Sequence, residues 1–180
     1  MKSIHRRPQV RKGLGDRLPG QGRIELEVPF GAVDTLGQAP IQHGDFAVFA
    51  DHEGYGRFRG VKKCELTRTG RSERNGLGAI RRVHLAGPVV LDEEIVAFDA
   101  PNSYEYRIIR ARPISVKHTL GRVELEALDA NRTRVLWTST FEIPIPIIGK
   151  AMSERVAVQF TRAFKATIHA AAALATKQAA

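Results

Sequence analysis

The most restrictive feature of this sequence is a run of strand-like segments that ends in one long amphipathic helix. Six segments of about 8–11 residues follow one another, most of them separated by turn signals. They are Gly60–Thr69, Leu77–Ala86, Val89–Phe98, Ser103–Arg112, His118–Leu128 and Arg134–Ile143. After Pro144 and Pro146, apolar residues recur every four positions, which predicts a helix from Ile148 to about Lys177. An antiparallel sheet followed by such a helix can bury one of its faces against that helix.

Two further elements are predicted ahead of this run. Residues Arg23–Phe30 alternate charged and apolar side chains, which is typical of a strand with one face in water. Residues Asp45–Ala50 place Phe46 and Phe49 on one side and predict a short helix. Residues 31–44 receive no assignment. The order of elements predicts an α+β fold with a seven-stranded curved antiparallel sheet, short helices after the first strand and a long C-terminal helix.

Composition narrows the class of protein further. A chain of 180 residues that is 43% hydrophobic and 26% charged can fold as one globular domain. The single cysteine, Cys64, excludes an internal disulfide and any multi-cysteine metal site. The six histidines show no metal-ligand spacing, so we expect each to be solvated, with His84 and His118 pointing outward, and we expect no metal and no cofactor. The sequence lacks a signal-like segment and a bilayer-length apolar run, which predicts a cytoplasmic protein that is not transmembrane.

The positive charge is concentrated at the N-terminus. Residues 1–20 carry +5 of the formal net charge of +9. We therefore divide the chain into a basic N-terminal extension, residues 1–21, and a single domain, residues 22–180. The extension is either a solubilising arm or a weak contact for anionic surfaces. It lacks aromatic residues for base stacking, and no specific binding of nucleic acid is expected.

Strand alternation identifies the side chains that should point toward the helix. The inward residues of the strands, with two residues of the helix, are predicted to line a cavity for a ligand. They are Val83, Leu85, Leu91, Glu93, Ile95, Tyr104, Tyr106, Ile108, Thr119, Val123, Trp137, Ser139, Phe141, Phe160 and Phe164. Most of these are apolar or aromatic, so the lining fits an apolar small molecule with few polar groups.

Glu93 of this set, and Arg81, which the alternation of its strand also directs inward, are the charged residues that could carry chemistry. A carboxylate on the inner face could accept a proton or orient a ligand, with Arg81 or Tyr106 stabilising a developing oxyanion. The alternative is that Glu93 and Arg81 form a structural ion pair across neighbouring strands. Three or more buried polar groups that converge on one point would favour an enzyme, whereas a dry pocket with one polar group at its mouth would favour a carrier.

Several segments in order resemble one known family. These are Asp51–Phe58, Gly76–Arg82, Leu91–Pro101, Tyr104–Arg107 and Thr133–Trp137, within roughly residues 45–175. The sequence resembles the START-like, helix-grip (SRPBCC) superfamily, and within it the bacterial polyketide cyclase/dehydrase and lipid-transport family.

The resemblance implies a helix-grip fold with a cavity for an apolar small molecule between the sheet and the C-terminal helix. We expect a carrier or sequestering protein for a lipid, polyketide or isoprenoid-like molecule. The alternative is a polyketide cyclase, aromatase or dehydratase-type enzyme that uses Glu93 with Arg81 or Tyr106.

Overall fold

The structure of the protein is a computed structural model that describes residues 22–30, 42–129 and 132–178. The basic extension, residues 1–21, and residues 31–41 lie outside these ranges. The elements in chain order are β1 (Gly22–Phe30), α1 (Gln42–Ala50), a 3₁₀ turn (Glu53–Arg57), β2 (Val61–Arg68), β3 (Ile80–Leu85), β4 (Val90–Asp99), β5 (Ser103–Arg112), β6 (Lys117–Asp129), β7 (Arg132–Glu142) and α2 (Gly149–Gln178).

The strands form one antiparallel sheet in the order β1-β7-β6-β5-β4-β3-β2. Consecutive strands from β2 to β7 are neighbours in the sheet. β1 pairs with β7, so β1 and β2 are the two edge strands. The α+β class, the antiparallel sheet and the long C-terminal helix of the predicted helix-grip fold are confirmed. No helix in the described residues is long and apolar enough to cross a bilayer.

Both helices lie against the same face of the sheet, which we call the inner face. Trp137 of β7 marks it: its ring stacks on Phe164 of α2 with centroids 4.0 Å apart and meets Phe49 of α1 edge-on at 6.4 Å. Burying such large apolar rings contributes about 1.5–3 kcal/mol each. Aromatic packing between the sheet and the two helices therefore holds the layers together.

The pairing of β6 contains an irregularity that changes which side chains point inward. The register with β7 shifts between His118 and Leu120. Beyond such a shift the alternation reverses. His118 is consequently buried and Thr119 is exposed, so the predictions of an outward His118 and an inward Thr119 are both wrong.

Strands β5 and β6 are paired over only part of their length in the described chain. Their register joins Ser103–Tyr106 to Gly121–Glu124, and from there the strands separate toward the β5–β6 loop. The His118 imidazole stands in this separation, where its Nδ1 accepts the Ile108 N–H at 3.1 Å. A side chain thus satisfies a backbone donor that would otherwise face a gap in the sheet.

Gly121 stands opposite Tyr106 where the two strands part. A Cβ at Gly121 would lie 2.3 Å from Cζ of the Tyr106 ring, so the ring lies directly against the glycine backbone. His118 stacks on the same ring with centroids 5.5 Å apart. Only glycine leaves room for this arrangement.

The loop between β7 and α2 is fixed at its base and strained at its tip. Ser153, fully buried, accepts the Ile143 N–H at 3.0 Å and donates to the Gly149 carbonyl at 2.8 Å. Ile147 has φ 67°, in the left-handed region that a β-branched residue avoids, and its side chain is 101% exposed. Such strain costs about 1–3 kcal/mol and persists only where the surrounding structure imposes it.

Candidate functional site

The centre of the inner face holds a buried ion pair between adjacent strands. Arg81 of β3 is the register partner of Glu93 of β4, and its Nε donates to Glu93 Oε2 at 2.7 Å. The two side chains are 2% and 8% exposed. At this depth each charge depends on the other, since an unpaired buried ion is strongly unfavourable. The structure therefore contains the structural ion pair that strand parity allowed.

His52 joins this pair from the segment after α1. Its Nδ1 lies 3.2 Å from Arg81 Nη1 and its Nε2 lies 2.9 Å from the Asn75 carbonyl oxygen. A guanidinium only donates, so Nδ1 accepts and Nε2 carries the proton to Asn75. Burial, with the Arg81 charge, lowers the pKa of His52 to about 3. The prediction of a solvated His52 is wrong, and this residue is a neutral imidazole in the core.

Three tyrosines surround the Arg81 guanidinium. Their ring centroids lie 4.4 Å (Tyr55), 5.2 Å (Tyr106) and 6.0 Å (Tyr104) from its central carbon. Tyr55 donates its hydroxyl proton to the Phe49 carbonyl at 3.0 Å, so Tyr104 must donate in the 2.8 Å bond between their two hydroxyls. The faces of the rings replace water around the cation, as in cation–π contacts elsewhere.

The Tyr106 hydroxyl connects this cluster to Trp137 of β7. Trp137 Nε1 donates to it at 3.0 Å. Because the indole nitrogen is a donor only, the phenolic oxygen is the acceptor and keeps its own proton to donate. Burial raises the pKa of Tyr106, so the hydroxyl is protonated at neutral pH.

His118 and Ser139 form a second polar group on the inner face. His118 Nδ1 accepts a backbone N–H, so a neutral ring carries its proton on Nε2, which lies 3.2 Å from Ser139 Oγ. Burial, with the charge of Arg107, lowers the pKa of His118 to about 4. The neutral imidazole therefore donates to Ser139, whose own hydroxyl proton is left to point elsewhere.

The two buried histidines should lower the free energy of unfolding at acidic pH. In the unfolded chain His118 titrates near 6.5, whereas its pKa in the folded protein is about 4. Its contribution to stability is complete above about pH 6.5 and is lost as the pH falls toward 4, because the unfolded state then binds the extra proton. For His118 the effect amounts to about 3 kcal/mol when the pH is below both pKa values.

We expect His118→Gln to weaken this acid sensitivity while keeping the local hydrogen bonds, since an amide can both accept and donate. Urea unfolding of both proteins at neutral pH and near pH 4.5 measures the effect. The free energy of unfolding should fall between neutral pH and pH 4.5 in both proteins, and the fall should be smaller in the variant by about 2 kcal/mol. His169→Gln on α2, an exposed position, is the matched control. An equal loss in wild type and His118→Gln would contradict the burial of a neutral His118.

The apolar part of the inner face lies beside these polar groups. Phe141 of β7 meets Phe160 of α2 edge-on at 6.1 Å, and Phe160 lies 6.0 Å from Phe164. Both helix phenylalanines are only half-buried although they face the sheet. Their incompletely covered rings provide apolar surface that a small molecule can bury.

The structure places the predicted lining residues as follows. Those that are buried are Val83, Leu91, Glu93, Ile95, Tyr104, Tyr106, Val123, Trp137, Ser139 and Phe141. Those that pack on the core but are half-buried are Leu85, Ile108, Phe160 and Phe164. Thr119 stands apart, exposed to solvent.

Three contributors to this site were absent from the predicted set: His52, Tyr55 and His118. His52 and Tyr55 come from the segment around the 3₁₀ turn, where no alternation exists to give a direction. The sequence signal available for them was the resemblance of Asp51–Phe58 to the family segment that leads into the second strand.

Cys64 is not a nucleophile in this arrangement. Burial raises the pKa of its thiol to about 11, so the reactive thiolate is scarce at neutral pH. Among the described residues, no group of three or more histidine, cysteine or acidic side chains could hold a metal ion.

A groove of about 370 Å³ lies away from the inner face, at the end of the sheet where β4 meets β5. Its walls include Arg122, Glu124, Glu126 and Arg134, which are engaged in ion pairs of 2.8–3.0 Å. Its paired charges suit an apolar ligand poorly, so the inner face is the better candidate.

Comparison with solved structures shows the same fold in other proteins. The chain is similar to the Zhui aromatase/cyclase from Streptomyces sp. R1128, with 22% identity, a TM-score of 0.68, and coverage of 89% of this chain and 96% of that one. It is also similar to a START superfamily protein from Mycobacterium smegmatis, with 14% identity, a TM-score of 0.62, and coverage of 81% and 93%. No curated protein matches the sequence.

A family model matches residues 46–176, which spans β2 to β7 and nearly all of α2. The described site residues of the inner face all fall within this range. The chain belongs to the family described as polyketide cyclase/dehydrase and lipid transport.

Proposed function

We propose that the protein binds a small, largely apolar molecule carrying at least one oxygen, between the inner face of the sheet and α2, as a carrier or sequestering protein. The observation that carries the proposal is the combination of half-buried aromatic rings at Phe160 and Phe164 with a spare proton on the Tyr106 hydroxyl. Apolar walls supply affinity, and one or two placed polar groups orient a ligand.

The state of the ionisable groups favours a carrier over an enzyme. Arg81, Glu93 and His52 satisfy one another inside a packed cluster. A general base has to be within reach of the proton that it removes. Glu93 Oε2 already accepts a hydrogen bond from the Arg81 guanidinium at 2.7 Å, so this oxygen is not free to reach a ligand proton.

A cyclase, aromatase or dehydratase-type activity is the second candidate, and one observation favours it. Several buried polar groups converge near Tyr106, including Arg81, Glu93 and the Trp137 indole. Tyr106 could then donate a hydrogen bond to a carbonyl oxygen on which charge develops.

The proposal is tested with the tryptophan that the chain already carries. Trp137 is the only tryptophan in the sequence and stacks on Phe164, so its fluorescence reports on the inner face alone. Titration with a long-chain fatty acid and with a polycyclic phenol should give a saturable change in emission. Phe160→Ala should weaken binding by about tenfold, because apolar contact area is lost.

Val158→Ala is the matched control, since Val158 lies on the same helix with its side chain 54% exposed. It should bind both probes as the wild type does. A titration without saturation, or an equal effect of both substitutions, would contradict a ligand site on the inner face.

Mass spectrometry under non-denaturing conditions identifies the molecule that co-purifies with the protein. Incubation of that molecule with fresh protein then separates the two candidates. A carrier returns it chemically unchanged, whereas a cyclase or dehydratase returns a product that differs in mass or in fragmentation.

The role of residues 1–21 stays a prediction. Their charge supports a weak contact with anionic surfaces, and location in the cytoplasm is likewise proposed from the sequence alone.

A further inference from the structure

We propose that one end of the molecule docks on the surface of an anionic lipid bilayer through three exposed isoleucines. Ile114 lies in the β5–β6 loop, and Ile147 and Ile148 lie in the β7–α2 loop; we call these three residues the apolar tip. These residues are 40%, 101% and 53% exposed, in that order. Ile147 is the extreme case, because its whole side chain projects into solvent.

The two loops lie at the same end of the sheet. Lys117, which starts β6, is the register partner of Glu142, which ends β7. Val116 and Ile145, the flanking apolar residues of the two loops, pack on the same small core formed by Phe141 and Ile143. The three exposed isoleucines are therefore carried on one packed base.

Basic residues flank the apolar tip. The segment 107–117, from β5 into β6, contains four basic residues and no acidic one. Of these Arg112 and Lys117 are exposed beside the tip, and Lys150 is exposed in the first turn of α2. Glu142 at the end of β7 is half-buried and Glu154 of α2 is exposed, while Asp92 of β4, whose charge acts on Arg112, is buried and bonded to Arg82. An apolar projection with a cationic rim matches a bilayer surface, whose anionic headgroups overlie hydrocarbon.

Ile147 combines full solvent exposure with a backbone conformation that is unfavourable for isoleucine. The left-handed φ of 67° would suit glycine or asparagine, yet the position carries a β-branched apolar residue in full contact with water. The loop cannot relax easily, because Ser153 ties the end of β7 to the first turn of α2. The loop thus presents an isoleucine that contributes nothing to the packing of the isolated chain.

A lipid surface is the occupant that fits these observations best. An acidic protein surface would be attracted to the same rim, but the fully projecting Ile147 side chain needs a soft medium into which it can insert. Docking through the apolar tip is independent of ligand binding on the inner face, and the two are measured separately.

Co-sedimentation of the full chain with vesicles tests the proposal. Vesicles of phosphatidylcholine mixed with phosphatidylglycerol should bind the protein more tightly than phosphatidylcholine alone, and added salt should weaken the binding. Ile147→Gly should lower the affinity by about tenfold. Its thermal midpoint should stay the same or rise, because glycine adopts the left-handed backbone without strain.

Two further variants complete the test. Leu77→Ser is the matched control, since Leu77 is 42% exposed in the loop at the opposite end of the sheet, and its binding should equal that of the wild type. Lys117→Gln with Lys150→Gln should weaken binding to the anionic vesicles and not to phosphatidylcholine. Three results would overturn the proposal: no binding to either vesicle, binding that ignores phosphatidylglycerol, or binding that Ile147→Gly leaves intact.

Discussion

Glu93→Gln should lower the free energy of unfolding by about 3–5 kcal/mol, the largest loss we expect from a change that keeps side-chain shape. The substitution leaves the Arg81 guanidinium, 2% exposed, without the carboxylate that neutralises it. An arginine cannot shed its charge on burial, so the whole penalty is felt. Urea unfolding followed by Trp137 fluorescence measures the loss.

The neighbouring residue provides a matched control. Glu94 is paired with Arg68, whose side chain is 54% exposed. Glu94→Gln should therefore cost less than about 1 kcal/mol. A second comparison uses Arg81→Met, after which the stranded Glu93 can take up a proton, so its cost should shrink as the pH falls. Arg81→Met combined with Glu93→Gln should be more stable than Glu93→Gln alone.

The same variant separates the functional alternatives for Glu93. If Glu93 also serves as a base, turnover of Glu93→Gln falls about a hundredfold in addition to the loss of stability, while its affinity for ligand changes much less. If Glu93 serves the ion pair alone, stability falls and the protein has no turnover to lose. A variant with unchanged stability, affinity and activity would contradict both interpretations and the buried position of Glu93.

Gly121→Ala should destabilise the protein by about 2–4 kcal/mol, the second largest effect that we expect. A methyl group there would lie 2.3 Å from the Tyr106 ring, so the ring has to move. It would leave the His118 ring that stacks on it and the Trp137 indole that donates to its hydroxyl. The shift should also change the emission of Trp137, which gives a readout besides stability.

Gly56→Ala is the control for this glycine. A Cβ at Gly56 would lie 3.9 Å from Lys63 Cα, an ordinary contact distance. The substitution should be neutral or stabilise the protein by less than about 1 kcal/mol, because alanine restricts the unfolded chain. A Gly121→Ala protein that is as stable as Gly56→Ala would contradict the close approach of Tyr106 to the backbone.

Most strand and helix bounds were predictable because turn residues and alternation mark them locally. Ser103–Arg112 was predicted with the bounds that β5 has, and the C-terminal helix was predicted within one residue at either end. The inward direction of Arg81 and Glu93 followed from the same alternation on two strands that pair with each other in an unbroken register. Where a strand keeps its register, period two is sufficient to place its side chains.

The predictions of side-chain direction were wrong where a strand shifts its register or where no strand is present. A one-residue shift in β6 reversed the positions of His118 and Thr119, and a shift of this kind depends on a partner strand that local sequence does not display. His52 was missed for a different reason. Its partners, Asn75 and Arg81, are 23 and 29 residues away, so its burial is a consequence of tertiary packing.

The partial pairing of β5 with β6 makes the interior adjustable. Four residue pairs join the two strands, and beyond Tyr106 and Gly121 each strand keeps its hydrogen bonds with its other neighbour. The two strands can therefore move apart at this end of the sheet. The main hydrogen bond that has to break is the one from the Ile108 N–H to His118 Nδ1. Ligands of increasing chain length should then all be admitted, and their affinity should rise with length, since each added methylene buries apolar surface while the opening breaks few backbone hydrogen bonds.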